Sequence, residues 1–177
     1  MPGIITLLDK ECTAKVRAIQ DLMAQDFGVR RSYPGDVPHF TYHLAESYDV
    51  DSVLRVVEHI ASATKPFSVA TSGFGVFTGA KPTLYIPIAC GGALASLHEC
   101  ICKEMALAGQ VNIPYYRAGR LLPHITIAQG NVPPAMLPDL LAWLAETDFS
   151  WDVPVTNLAV AEQTLTGVYV FERWELK

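Results

Sequence analysis

Two histidines stand in matching surroundings. One lies in Pro38-His39-Phe40-Thr41-Tyr42 and the other in Pro123-His124-Ile125-Thr126-Ile127, so both segments read Pro-His-apolar-Thr-apolar. Side chains in a β-strand alternate between faces. His39 and Thr41 therefore share one face against Phe40, Tyr42 and Leu44, and His124 and Thr126 share one against Ile125 and Ile127. Imidazole ordinarily titrates near pH 6.5, which suits proton transfer in either direction at neutral pH. If the two polar faces oppose each other, one histidine can take a proton from an attacking group while the other gives one to a leaving oxygen. The threonine hydroxyls, roughly 7 Å further along each strand, can donate to the non-bridging oxygens of a phosphate held between them. The candidate catalytic residues are thus His39, Thr41, His124 and Thr126. Their spacing does not tell acid from base.

A lone His-x-Thr would arise by chance roughly a third of the time in such a chain. Two copies, each preceded by proline and each in strand-like alternation, point to a shared site. His43, four residues after His39, is expected on the same face, as a further polar group of the cleft or its rim; its counterpart in the second copy is Ala128. The loops before the motifs also echo one another, with Arg30, Arg31 and Tyr33 before the first and Tyr115, Tyr116, Arg117 and Arg120 before the second. Arginine matches phosphate with its planar donor fork, and tyrosine can stack on a base. Tyr33, Tyr115, Tyr116, Arg117, Arg120 and His43 are therefore the candidate substrate contacts, with at least one Tyr and one Arg expected in the cleft. No His-Glu-x-x-His occurs and neither motif carries a carboxylate, so no metal site and no cofactor are expected.

The elements that must position these residues can be read from periodicity. An apolar strand over Gly3–Leu8 precedes a helix over Asp9–Asp26 with Val16, Ile19, Leu22 and Met23 inward and Gly28 as its stop. The first motif strand covers Pro38–Ala45. A second helix covers Asp49–Thr64, with His59 on its solvated side. Phe67–Thr78 reads as a strand interrupted by Gly73 and Gly75, and Thr83–Ala89 as another. The helix that follows reaches Leu107, with His98 beside its apolar stripe and expected to be partly buried and satisfied. Leu122–Ala128 is the second motif strand. Pro133-Pro134 opens a further helix, and Phe149–Val160 and Val168–Leu176 form a hairpin about Thr166-Gly167. Each half repeats strand, helix, loop, motif strand, helix and further strands. The 85-residue offset between the motifs exceeds any solenoid period. The pattern predicts an α+β fold, a duplicated unit about a pseudo-two-fold axis with two antiparallel sheets flanking a central cleft and helices outside, over 1–177 as one bilobal domain.

Composition bounds the partners. The chain has 177 residues, half of them hydrophobic, and a net charge of −5. That is long enough for a substantial core and too acidic for a general nucleic-acid-coating surface. The N-terminus shows no secretion signal, and no apolar run is long enough to span a membrane. Cys12, Cys90, Cys100 and Cys102 form no Cys-x-x-Cys pair and read as buried, reduced thiols of a cytoplasmic protein. A monomer is expected.

At these motifs the chain resembles the two-histidine phosphoesterase superfamily, in particular its 2′-5′ RNA ligase-like group. His39-Phe40-Thr41-Tyr42 and His124-Ile125-Thr126-Ile127 match its paired His-x-Thr/Ser-x signature. Arg117 to Ala128 resembles the second motif of that group, and so does Thr83 to Ile88 with the helix that follows it. The resemblance implies metal-independent chemistry on 2′,3′-cyclic phosphates or 2′-5′ linkages in nucleotides or RNA ends, with His39, Thr41, His124 and Thr126 as the site. It implies a nucleotide or RNA-end substrate carrying a phosphodiester. It leaves open a nucleotide-binding module without turnover and an RNA 2′-5′ ligase; the acidic balance counts against the last.

Overall fold

A computed structural model describes residues 1–31 and 35–177. Among them are nine strands and four α-helices: β1 (Pro2–Leu7), α1 (Lys10–Phe27), β2 (His39–Leu44), α2 (Val50–Ser62), β3 (Phe67–Ala70), β4 (Gly75–Phe77), β5 (Thr83–Pro87), α3 (Gly92–Leu107), β6 (His124–Gln129), α4 (Leu137–Leu144), β7 (Asp152–Val155), β8 (Asn157–Gln163) and β9 (Val168–Glu175). The strands form a four-stranded sheet in the order β2-β1-β8-β9, a three-stranded sheet in the order β4-β5-β6, and a two-stranded ladder of β3 with β7. Every ladder is antiparallel. The sequence pattern predicts two sheets; the small ladder is the addition. It arises because the segments that read as single strands, 67–78 and 149–160, each divide between two sheets.

The helices end where the sequence indicates. Asp9 accepts from the Cys12 amide and caps α1, and Asp49 does the same for α2 from Ser52. Gly28 closes α1 in the left-handed region at φ 69°. The stripe Val53, Val57 and Ile60 is buried as α2 packs on β8 and β9.

Strand register exposes the duplication. Ile4 pairs with His43 and Ile5 with Thr41, so Tyr42 is an extra, unopposed residue. Leu84 pairs with Ala128 and Tyr85 with Thr126, so Ile127 is the extra one. Both motif strands thus carry a β-bulge at the same step. The ladders extend alike past the strand ends: Leu8 N–H bonds the Pro38 carbonyl at 3.1 Å and Ile88 N–H that of Pro123 at 2.9 Å. A proline can stand there because only its carbonyl is needed. β3 and β7 themselves correspond at the 85-residue offset and pair with each other, Phe67 with Val155 and Ser68 with Pro154. That ladder lies on the pseudo-two-fold axis.

β2 and β6 are edge strands of their sheets, and these edges approach one another. Their inner faces belong to one core that includes Ile4, Phe40 and Tyr42 from one half and Leu84, Ile86 and Ile125 from the other. α1 packs against β6 and α3 against β2, so each motif strand is backed by the helix of the opposite half.

Candidate active site

The cleft between the two edges has a volume of about 480 Å³ and is lined by His39, Thr41, His124 and Thr126 together. His39 Nδ1 lies 2.6 Å from the Val37 carbonyl and His124 Nδ1 lies 2.7 Å from that of Leu122. A carbonyl can only accept, so each ring carries its hydrogen on Nδ1. In each case Nε2 is left as the nitrogen that gains or loses the working proton. The acceptor is two residues upstream in both copies, just before the proline.

The surroundings of the two rings differ. His124 is enclosed by aromatic edges: Phe77 at 5.0 Å, Tyr85 at 5.3 Å and Tyr115 at 6.3 Å between centroids. Phe77 and Tyr85 stack at 4.1 Å. Burial holds the His124 pKa below its ordinary value; the Leu122 carbonyl opposes that shift and the His39 charge adds to it. On the sheet face beside His39, the residues across the ladders are Leu7, Ile5 and Ala159. One histidine therefore has an aromatic enclosure and the other an aliphatic floor.

Tyr115 and Tyr116 line the cleft and lie on a 3-10 turn over Pro114–Tyr116 that sequence periodicity does not reveal. Burial pushes the Tyr116 phenol up to about 12, while a bond to Thr41 acts in the opposite direction. The turn is held from two sides. The Tyr116 carbonyl accepts from Asn112 Nδ2 at 2.6 Å and from His98 Nε2 at 2.9 Å, with Cys102 Sγ at 3.6 Å. Leu44 N–H donates to Asn112 Oδ1 at 3.3 Å, and Ile113 N–H to the Leu44 carbonyl at 2.9 Å. The backbone groups of Leu44, at the open edge of β2, are thereby satisfied. On the opposite side, Gln20 of α1 donates to the carbonyl of the bulged Ile127 at 3.2 Å. His98 is satisfied, as expected, and is more deeply buried than its place beside the stripe suggests.

His43 requires a correction. It does not share the face of His39 and Thr41, because the bulge at Tyr42 shifts the alternation by one residue. Tyr42 and His43 both face the core, and Leu44 takes the place in the cleft expected of His43. His43 is fully buried, with Nδ1 2.7 Å from the Tyr48 hydroxyl and Nε2 without a hydrogen-bond partner among the described residues. Burial lowers its pKa to about 4, with the nearby His98 adding to the shift. The second copy slips alike: Ala128 is buried and Gln129 takes the place equivalent to Leu44.

The expected arginines are also elsewhere. Arg117 and Arg120 are exposed, beyond the end of the 3-10 turn, in a further turn closed by Arg120 N–H on the Arg117 carbonyl at 3.0 Å. Arg117 borders a separate hollow with Cys102 and Asn112. Arg31 pairs with Asp21, and neither it nor Arg30 lines the cleft. Tyr33 lies outside the described residues. The thiols need correction too: all four are free, but Cys90 and Cys100 are exposed. Sequence reading missed the cleft residues Gln20, Asp36, Phe77, Thr83, Gln129 and Gln163. Gln20 was detectable as a polar residue beside the buried stripe of α1. The others become neighbours only through sheet register. Among the described residues no three His, Cys, Asp or Glu converge as metal ligands, and no helix is long and apolar enough to cross a membrane.

The model of the 2′-5′ RNA ligase superfamily matches residues 9–167. The chain belongs to that superfamily. No curated protein matches it. Among solved structures, TT0787 of Thermus thermophilus shares 22% identity at a TM-score of 0.72, covering 99% of this chain and 97% of that one. A crystal structure of a phosphoesterase shares 15% identity at a TM-score of 0.65, with 99% and 97% covered. E. coli LigT complexed with 3′-AMP shares 14% identity at a TM-score of 0.61, with 100% and 99% covered. At these identities the likeness is one of fold: mixed helices and open antiparallel sheets. Within the 2′-5′ RNA ligase superfamily, this chain carries both His-x-Thr motifs on the edges that face its cleft.

Proposed function

We propose that this member of the 2′-5′ RNA ligase superfamily is a metal-independent phosphodiesterase acting on 2′,3′-cyclic phosphates, or on 2′-5′ linkages, of nucleotides or RNA ends. The observation that carries the reading is the matched pair of imidazoles in one cleft, each fixed by Nδ1 on a backbone carbonyl two residues upstream. Superfamily membership and the 3′-AMP complex of LigT support a nucleotide-type substrate. In this reading, His124 starts neutral because its aromatic enclosure penalises charge. Its Nε2 removes a proton from water as the water attacks phosphorus, and His39 protonates the leaving ribose oxygen. The P–O bond to water forms as the P–O bond to that ribose oxygen breaks, leaving a monoester. Thr41 and Thr126 donate to the non-bridging oxygens. Tyr115 and Phe77 offer flat apolar surface to a base.

The test is hydrolysis of 2′,3′-cyclic nucleotides in the presence of a chelator. A bell-shaped pH profile is expected, with the midpoint of its acid limb below pH 6.5 because the base is His124 with a lowered pKa. His39→Ala and His124→Ala are each expected to lower kcat about 10²–10⁴-fold. Full activity in either variant overturns the two-histidine mechanism. Tight nucleotide binding without product would favour a binding module instead.

A further inference from the structure

Among the described residues, no lysine or arginine lines the cleft, and Ser32, Tyr33 and Pro34 add none. Its neutral polar side chains include Gln20, Gln129 and Gln163, and its one carboxylate is that of Asp36. Behind the wall, the Arg17 guanidinium donates to the Gln20 amide oxygen at 2.9 Å and to the Asp36 carbonyl. Its charge is offset by Asp36 and Asp21. Met1 also borders the cleft, and its amine faces Glu162 at 3.6 Å. Positive charge at the reacting centre must therefore come from His39 and His124 themselves. The two chemical roles require one of these rings to be neutral and the other charged at the start.

We propose that the cleft selects singly charged phosphodiesters and rejects doubly charged phosphomonoesters, so that the charge gained on hydrolysis expels the product. The inference rests on the phosphodiesterase reading and sharpens its substrate class. One protonated imidazole and one monoanionic diester balance. Opening the cyclic ester adds a second negative charge near neutral pH, since a phosphomonoester loses its second proton with a pKa of about 6. With its proton released to solvent, that second charge finds the hydroxyls of Thr41 and Thr126 but no lysine or arginine among the described residues of the cleft. An unpaired charge in a partly desolvated site is costly. The facing groups do not relieve the imbalance: Asp36, in the loop before His39, is an acid set against Arg17, and Tyr85 and Tyr115 beside His124 bring no cation. The same lack of cations leaves the phosphates of a longer RNA without partners beyond the reacting one. It favours a short substrate with no phosphate beyond the reacting one.

The test measures two competitive inhibitors of cyclic-nucleotide hydrolysis at pH 8 and low salt: 3′-deoxyadenosine 2′-phosphate and its methyl ester. Neither has a hydroxyl placed to attack its phosphorus, and they differ in one methyl group and one charge. The ester is expected to inhibit at least tenfold more tightly at pH 8, and the gap to shrink at pH 5.5, where the monoester carries close to one charge. Gln163→Arg, which places a cation at the rim, is expected to narrow the gap at pH 8. A monoester that binds as tightly as the ester at pH 8, or an ester that does not inhibit, overturns the inference while leaving the hydrolytic reading intact. Absence of cyclic-nucleotide hydrolysis by the wild-type protein overturns both.

Discussion

A peptide carbonyl two residues upstream fixes the chemistry of each motif histidine, because it decides which nitrogen is free to work. The residues that look most alike in type need not share that fate. His43 is close to His39 in sequence, yet it is a core residue whose ring is neutral in the folded state. Its effect is on stability, and the sign follows from linkage. The unfolded chain binds a proton at His43 below about pH 6.5, whereas the folded chain refuses it until about pH 4. The stability due to the neutral ring is therefore present above the ordinary imidazole range and is lost as pH falls from about 6.5 to about 4. The loss is on the order of 3 kcal/mol. Urea midpoints measured from pH 7 to pH 4 should fall over that window, and His43→Leu should flatten the fall. An unchanged slope in the variant would assign the effect to other groups. At the cleft, Thr41→Val and Thr126→Val each remove one hydroxyl donor to a charged phosphate. Each should cost about 1.5–3 kcal/mol of transition-state binding, read as roughly ten- to hundredfold in kcat/KM; the urea midpoint should change little in Thr126→Val and fall in Thr41→Val, which also breaks the bond to the buried Tyr116.

At the level of elements, two bulges and one short turn decide which side chains reach the cleft. Most strands, the helices, their caps and the duplication were legible because apolar periodicity and cap residues encode them locally; the divisions within 67–78 and 149–160 were not, and Leu22, read as inward on α1, is exposed. The faces of His39, Thr41, His124 and Thr126 were legible because they precede the bulges. Beyond Tyr42 and Ile127 strict alternation fails, so it assigns His43 to the wrong face and overlooks Leu44 and Gln129. A bulge is set by pairing with a neighbouring strand, and the strand's own sequence carries little sign of it. The arginines are misplaced for a related reason. The 3-10 turn brings Tyr115 and Tyr116 into the cleft, and Arg117 and Arg120 follow it on the exposed side. The bonds that hold this turn to β2 can be tested through Asn112, which joins the Leu44 amide to the Tyr116 carbonyl. Asn112→Ala should destabilise the protein by about 1–3 kcal/mol. If the turn positions substrate, KM should rise by more than kcat falls. Equal loss in both would make Asn112 a structural residue only. Gly75→Ala probes the other wall. A Cβ there would overlap the Tyr85 ring, so the variant should disturb the Phe77–Tyr85 stack beneath His124 and move the acid limb of the pH profile.

For the whole molecule, the cleft exists because two edge strands are held at a fixed separation, and nothing in either half alone fixes that separation. β1 pairs with β8, so the sheet carrying His39 is completed by the C-terminal strands. β3 pairs with β7 on the axis, with Val69 opposite Val153, and both side chains are buried. The buried cluster runs without interruption from Ile4 through Leu84 to Leu158. Each half thus lacks strands that the other supplies, and unfolding should be a single cooperative transition. Trp143 lies in α4 and Trp174 in β9. Variants retaining one or the other of these tryptophans should give fluorescence midpoints in urea that coincide with each other and with circular dichroism. Two separated midpoints would mean that the halves fold independently and that the spacing of the histidines is set by a hinge. In that event the cleft width, and with it the charge balance between His39 and His124, would vary with conformation. One shared transition instead ties catalytic geometry to global stability. Val69→Ala, a truncation in the ladder on the axis and outside the cleft lining, should then cost on the order of 1–3 kcal/mol and leave the pH profile unmoved.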